Sequence, residues 1–173
     1  MGSSPAKICG EIGQERFPCG DLAVLESSAM FEMRVQTYWS DSDAAGIVFF
    51  PNYFRFFEQA EEELFRSGGK QRQAMLEANH VWMPRVEVFT KFSQRIRNGR
   101  AIRVRLTPQF KGEKTVRYDF EILDDESGGK AAEGYVTVVC VDAESFKATR
   151  IPDVIRNVIQ NASNRDGGPW PTK

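Results

Sequence analysis

The chain has 173 residues, 41% of them hydrophobic and 27% charged, and a net charge of −1. That length supports one domain with a sizeable core, and the near-neutral balance excludes a global field that would draw it to nucleic acid or an anionic membrane. No apolar run reaches the roughly 18 residues that a transmembrane helix needs, and the N-terminus has no basic start followed by an apolar stretch. Neither a membrane partner nor a secretory signal is therefore expected.

The three cysteines, Cys9, Cys19 and Cys140, are odd in number and form no C-x-x-C pair. They fit a reducing compartment, so a cytoplasmic location is expected. Cys140 lies in the apolar run Val138-Val139-Cys140-Val141 and reads as a buried structural thiol. The single histidine, His80, excludes a two-histidine zinc site within one chain. A Ser-His-Asp triad would have to use His80 itself, which precedes a strand and reads as structural.

Residues 1–29 hold Gly, Ser, Pro and scattered charge and read as a flexible N-terminal segment. From Phe31, apolar residues alternate with polar ones (Phe31, Met33, Val35, Thr37, Trp39), a period of two that predicts a strand with one buried face. Asp41-Ser42-Asp43-Ala44-Ala45-Gly46 reads as a turn. A helix is predicted over 52–67, with Pro51 in its first turn and Gly68-Gly69 at its stop. Its apolar stripe of Tyr53, Phe56, Phe57, Ala60 and Leu64, widened by Phe54 and Phe65, is too broad for a surface helix and predicts one enclosed by a sheet. Glu58, Glu61, Glu62 and Glu63 read as its solvated face.

A second, more polar helix is expected over about 70–79. Strand periodicity returns after Val81, through Ile102, Val104 and Leu106, then Val116, Tyr118, Phe120 and Ile122, then a central strand over 135–141. Asn98-Gly99, Lys111-Gly112 and Ser127-Gly128-Gly129 read as hairpin signals. Pro152 opens a last helix with Val154, Ile155, Val158 and Ile159 on its apolar face. The tail 163–173 reads as disordered. One helix followed by a meander of four strands predicts an α+β domain over 30–162, with an antiparallel sheet of five or six strands.

The informative stretch runs from Trp39 through Asp41, Asp43, Gly46, Ile47, Val48, Phe49, Phe50 and Pro51 to Asn52 and Tyr53. Two carboxylates in a turn are followed by a glycine, four bulky apolar residues and a helix start. Two rival readings fail. As an EF-hand start, the stretch has Ala45 at a ligand position and Asn52 where a bidentate Glu is needed. As an aspartyl phosphoryl-transfer motif, it has Ala45 in place of the usual Thr or Val and lacks the following parallel βα units.

This stretch resembles the signature of the 4-hydroxybenzoyl-CoA thioesterase group of hotdog-fold acyl-CoA thioesterases: acid-x-Asp-x-x-Gly, two hydrophobic residues, two aromatic or His positions, then x-Asn-Tyr. The resemblance spans Phe31 to Ile159, about three quarters of the chain. It implies a sheet wrapped around one long helix, and acyl-CoA hydrolysis with Asp43 as the catalytic carboxylate, attacking the thioester or activating a water. The Phe50 N–H at the helix mouth becomes the oxyanion donor, since Pro51 has no N–H. Phe49 and Phe50 would exclude water. Gly46, Trp39, Phe49 and Tyr53 become substrate neighbours, although Trp39 and Tyr53 also read as core and Asp41 as a turn former. Some hotdog branches take their carboxylate from the helix, which keeps Glu58 and Glu61 as alternatives. Short-chain relatives carry His where this chain has Phe50, and the aromatic residue leans toward an aromatic or bulky acyl group.

Between Val88 and Gly112 there is no acid, while Lys91, Arg95, Arg97, Arg100, Arg103, Arg105 and Lys111 all fall there. The simplest reading is an outward strand face paired with acids such as Asp119 and Glu121. The resemblance places coenzyme A phosphates at Lys111 and Lys114, with Arg150 nearby. It implies no cofactor, coenzyme A being part of the substrate, and a homodimer that pairs into a homotetramer. Release of an acyl group from a carrier protein, and a non-catalytic acyl-CoA-binding domain, are the alternatives; a hotdog dehydratase would need a better-placed histidine.

Overall fold

The computed structural model describes residues 30–162. The N-terminal segment 1–29, with Cys9 and Cys19, and the tail 163–173 lie outside the described residues. In chain order the elements are β1 (Phe31–Gln36), α1 (Asn52–Ser67), α2 (Arg72–Ala78), β2 (Val81–Trp82), β3 (Arg85–Phe92), β4 (Ala101–Lys111), β5 (Thr115–Asp124), β6 (Lys130–Val139), β7 (Val141–Asp142) and α3 (Asp153–Ala162). No helix among them is long and apolar enough to cross a membrane.

Five strands form one antiparallel sheet in the order β1-β4-β5-β6-β3, and β2 pairs separately with β7. The expected four-strand meander is therefore corrected. Strands β4, β5 and β6 follow one another, whereas β3 crosses to the far edge and pairs with β6. Asn98-Gly99 is thus a turn before β4, not a hairpin between neighbours; Lys111-Gly112 and Ser127-Gly128-Gly129 do join neighbours. At Gly134 the β3 and β6 backbones approach so closely that a Cβ would lie 2.1 Å from the Phe89 carbonyl oxygen, which only glycine tolerates.

The predicted helix over 52–67 forms with those bounds. Its buried side chains are Tyr53, Phe56, Phe57, Ala60, Glu61, Leu64 and Phe65. The Phe57 ring lies 5.0 Å from that of Phe120 and 6.3 Å from that of Tyr118, both on β5. Tyr53 meets Phe92 of β3 edge-on at 4.9 Å. Each fully buried large apolar side chain contributes about 2–3 kcal/mol, so the sheet's inner face and α1 stabilise one another. Ile155 and Ile159 of α3 reach the same core. Val154, expected on that face, is exposed because it points off the buried stripe.

Three further expectations change. The first strand ends at Gln36 instead of running to Trp39, because Asp41 ties residues 38–41 into a tight turn: the Tyr38 N–H donates to the Asp41 carboxylate at 2.8 Å and the Asp41 N–H to the Tyr38 carbonyl at 2.9 Å. The central strand 135–141 breaks at Cys140, whose N–H donates to the Lys114 carbonyl. Cys140 is buried, as expected, and burial pushes its thiol up. Glu61 is not on a solvated face; it is 1% exposed.

Glu61 is tolerated inside because two arginines meet it. Arg85 of β3 donates to Oε2 at 2.6 Å, and Arg72 of α2 approaches Oε1 at 3.1 Å. Burial pushes the Glu61 carboxyl up, and the two guanidiniums oppose that shift. The same burial, with negative Glu61 nearby, pushes the Tyr118 phenol well above its ordinary value. The cluster pins α1 to α2 and to the edge strand.

Glu61→Ala is predicted to destabilise the fold by about 3 kcal/mol, because it takes the nearest partner from the largely buried Arg72 and unties α1 from α2 and β3. Urea unfolding measures this; a change of about 0.5 kcal/mol or less, as for ordinary surface positions, would show that the cluster is not holding the helix. A second prediction concerns the β5–β6 turn. Asp124 accepts the Ser127 N–H at 2.8 Å and hydrogen bonds from Arg100, which hold its carboxyl down at about 2. The unfolded chain titrates that group near its ordinary value of about 3.9. Its stabilisation is thus present above about pH 4 and lost as pH falls toward 2. Asp124→Asn should show a shallower loss of urea midpoint between pH 5 and pH 2.5 than the wild type, tested at roughly those values; parallel curves would refute the assignment.

Candidate active site

The loop between β1 and α1 is built on Asp41. Its carboxylate accepts the Tyr38 N–H and pairs with Arg55 of α1. Its carbonyl accepts the Phe49 N–H at 2.8 Å and the Asn52 side-chain amide at 2.9 Å. One acid thereby ties the strand exit, the apolar run and the helix start together, the turn-forming role read from the sequence. Asn52 belongs to the x-Asn-Tyr part of the signature, whereas Arg55 carries no sequence signal. Arg55 sits 14 positions from its partner, so no local spacing rule points to it.

Asp43 stands at the exposed tip of this loop. Its N–H donates to the Ile47 carbonyl at 2.9 Å, and Oδ1 accepts the Ala45 N–H at 2.8 Å. Oδ2 has no partner among the described residues. Gly46 closes the turn at φ +70°, where a side chain would be strained; its N–H donates to the Asp43 carbonyl at 3.0 Å.

The Phe50 N–H finds no acceptor among the described residues. Pro51 opens α1 at φ −65° and ψ −25°. The free amide therefore lies two residues before Asn52, the first residue of α1, where the partial positive charge of the helix end adds to it. Asp43 and Phe50 thus share one loop, a carboxylate with a free oxygen and a free donor at a helix mouth. That pair can act on a carbonyl group, the carboxylate toward carbon and the amide toward oxygen.

The aromatic residues divide. Tyr53 is core: its ring is buried, and burial pushes its hydroxyl up, opposed in part by the nearby Ile96 backbone. Trp39 is 83% exposed and Phe50 59%, with Tyr38 and Phe49 also exposed. Trp39 is therefore not a core residue, and Phe49 and Phe50 do not exclude water within a single chain. Beside them a cleft of about 480 Å³ opens between β1 and α1, with Met33, Val35 and Phe56 as apolar walls and Gln59, Arg55 and Asp41 as polar ones. Asp43 does not line it.

Glu58 and Glu61, the alternative carboxylates, are both engaged with Arg85, and Glu61 also with Arg72. Lys111 and Lys114 flank the β4–β5 turn; Lys114 donates to the Ala148 carbonyl and Arg150 pairs with Asp153. These three gather in one region, but at the far end of β4 from the Asp43 loop. The near end, Ala101, pairs with Gln36, and the strand spans about 30 Å at ~3.3 Å per residue.

Comparisons with known proteins agree with this architecture. A family model described as the thioesterase-like superfamily matches residues 37–159. The 1,4-dihydroxy-2-naphthoyl-CoA hydrolase of Synechococcus sp. is 22% identical over 144 residues, covering 79% of this chain and 93% of the relative. The acyl-CoA thioester hydrolase YbgC of Escherichia coli is 26% identical over 130 residues, covering 75% and 95%. The solved structure of Slr0204, a 1,4-dihydroxy-2-naphthoyl-CoA thioesterase from Synechocystis, superposes with a TM-score of 0.71 at 24% identity, covering 75% of this chain and 95% of that one. The fold is the hotdog arrangement expected from the resemblance, an α+β domain with a five-stranded antiparallel sheet around α1. With the family model matching well over half of its length, the chain belongs to the thioesterase-like superfamily.

Proposed function

We propose that the protein is an acyl-CoA thioesterase in which Asp43 carries the chemical step. The observation that carries this reading is the pairing, on one loop, of the unengaged Asp43 Oδ2 with the unengaged Phe50 N–H at the mouth of α1. The thioester carbonyl oxygen takes the Phe50 N–H, and negative charge that develops there is stabilised by the amide and the helix dipole. Asp43 acts on the carbonyl carbon in one of two ways. Oδ2 attacks directly, forming an anhydride as the carbon–sulfur bond breaks, and water then hydrolyses the anhydride. Alternatively, Oδ2 takes a proton from water, whose oxygen attacks as coenzyme A departs. Both use only water and need no cofactor.

An aromatic or short-to-medium acyl group is supported by the aromatic residues Trp39, Phe49 and Phe50 around the loop, and by relatives named for a dihydroxynaphthoyl thioester. A cytoplasmic setting fits the free thiol of Cys140.

The site is open in a single chain, which supports completion by a second copy. Exposed Trp39 and Phe50 need cover for the oxyanion contact to be strong, and β3 leaves an edge with exposed Val86, Val88, Phe89 and Phe92. Lys111, Lys114 and Arg150, about 30 Å away along β4, would hold coenzyme A phosphates for a neighbouring chain's Asp43. A homodimer that pairs into a homotetramer meets these needs.

Asp43→Asn is predicted to lower kcat on a responsive acyl-CoA by about 10³-fold with the fold retained, read on a panel of aromatic and aliphatic thioesters. Retained turnover would move the carboxylate role to Glu58 or Glu61; no wild-type turnover on any acyl-CoA would point to a carrier-protein substrate or a binding domain. Sedimentation should show a dimer or tetramer at micromolar concentration, and a monomer would refute the shared site.

A further inference from the structure

Three short segments lie side by side at the Asp43 turn. Ser42 bridges Val48, and Ile47 bridges Arg97, both antiparallel. The register is fixed by hydrogen bonds from the Asp43 N–H to the Ile47 carbonyl (2.9 Å), the Val48 N–H to the Ile96 carbonyl (2.8 Å) and the Asn98 N–H to the Gly46 carbonyl (3.3 Å). Residues opposite each other in such pairs share a face, and successive residues alternate. Val48 and Ile96 are buried on the inner face. The outer face therefore carries the row Asp43, Ile47, Arg97, with Asp43 and Arg97 both exposed. One hydrogen-bonded step and one non-hydrogen-bonded step place the Arg97 Cα about 10 Å from that of Asp43.

Arg97 has no ion pair or side-chain hydrogen bond among the described residues, and neither has Arg95, two positions earlier. Other arginines of the basic stretch are engaged: Arg100 with Asp124 and Glu126, Arg103 with Asp125, Arg105 with Glu32. Arg95 and Arg97 line a cleft of about 340 Å³ with Arg100, Asp124 and Ser127. Its one acid, Asp124, is already held by Ser127 and Arg100. The cleft is thus electropositive, with two unengaged guanidiniums; Asp43 does not line it, and the Ile47–Arg97 bridge is what sets Arg97 on the same face as Asp43. Guanidinium groups bind carboxylates and phosphates through charge-assisted hydrogen bonds.

We propose that Arg97, with Arg95 beside it, forms an anion-binding subsite next to Asp43 that holds a negatively charged group of the thioester substrate. This rests on the reading of Asp43 as the reacting carboxylate. The anion is either an acidic substituent on the acyl group or a phosphate of coenzyme A. The short span to Asp43 favours the first, because the phosphates lie at the far end of the pantetheine arm.

The test compares wild type with Arg97→Gln on 4-carboxybenzoyl-CoA, its neutral isostere 4-carbamoylbenzoyl-CoA, and the N-acetylcysteamine thioesters of both, which lack phosphate. If the acyl acid is held, the charged-to-neutral ratio of kcat/KM falls about tenfold or more in the variant, the size of a lost charge-assisted hydrogen bond. If a phosphate is held, the ratio of coenzyme A to cysteamine thioester falls instead. Either result supports the subsite and identifies its ligand. If neither ratio changes, including when all four rates fall together, the proposal is overturned. Should wild type hydrolyse none of the four, the thioesterase reading fails separately. The subsite is then read by calorimetric binding of 4-carboxybenzoate and of free coenzyme A: binding weakened about tenfold by Arg97→Gln sustains it, and no binding, or binding indifferent to Arg97, overturns it.

Discussion

The structure depends on enclosing α1. A helix with Tyr53, Phe56, Phe57, Ala60, Leu64 and Phe65 all buried cannot lie on a surface, and the sheet's inner face is as apolar as the helix, with Leu106, Val116, Tyr118, Phe120 and Val136 turned toward the core. Burying both at once removes the apolar area that would otherwise face water. The N-terminal end of α1 is where this enclosure stops. Pro51 begins the helix there and the Phe50 amide is left without an acceptor. The polar group that the fold leaves unpaired is the one that the proposed reaction uses.

Two acids close to the core illustrate how the same problem is solved for different ends. Glu61 is met by Arg72 and Arg85, which join α2 and the edge strand to the central helix. Asp41 is met by Arg55 and the Tyr38 amide, while its carbonyl takes Phe49 and Asn52. Breaking either arrangement would leave a charge in a poorly solvated place. Asp43, two residues from Asp41, is treated in the opposite way. It is exposed, with one oxygen used in its own turn and the other unengaged. A rigid neighbour and a free carboxylate at the tip suit a reacting group, since a positioned side chain needs a support that does not move.

Much of this was legible in the chain. Helix α1 has the bounds that Pro51 and Gly68 announce, because proline fits a first turn and glycine ends a helix for local steric reasons. The acid-x-Asp-x-x-Gly spacing marked the Asp43 turn, because Gly46 takes a left-handed conformation that few other residues accept. The misreadings have a common source. Glu61 looked solvated because its partners come from α2 and β3, far along the chain. Trp39 looked buried because alternation was extended one turn too far, past the point where Asp41 captures the Tyr38 amide. The β3 strand looked like part of a meander because its pairing with β6 is set by sheet closure.

The sequence by itself determined the elements with local causes: the strand periods, the caps of α1, the tight turn at Gly46 and the family to which the Asp43 loop points. Tertiary structure alone decided what stands beside what. It placed Arg97 across Ile47 from Asp43, gathered Lys111, Lys114 and Arg150 at the opposite end of β4, and left Trp39 and Phe50 open to solvent. Backbone conformation follows from near neighbours, whereas side-chain proximity follows from strand register, and register is fixed by burial summed over the whole sheet.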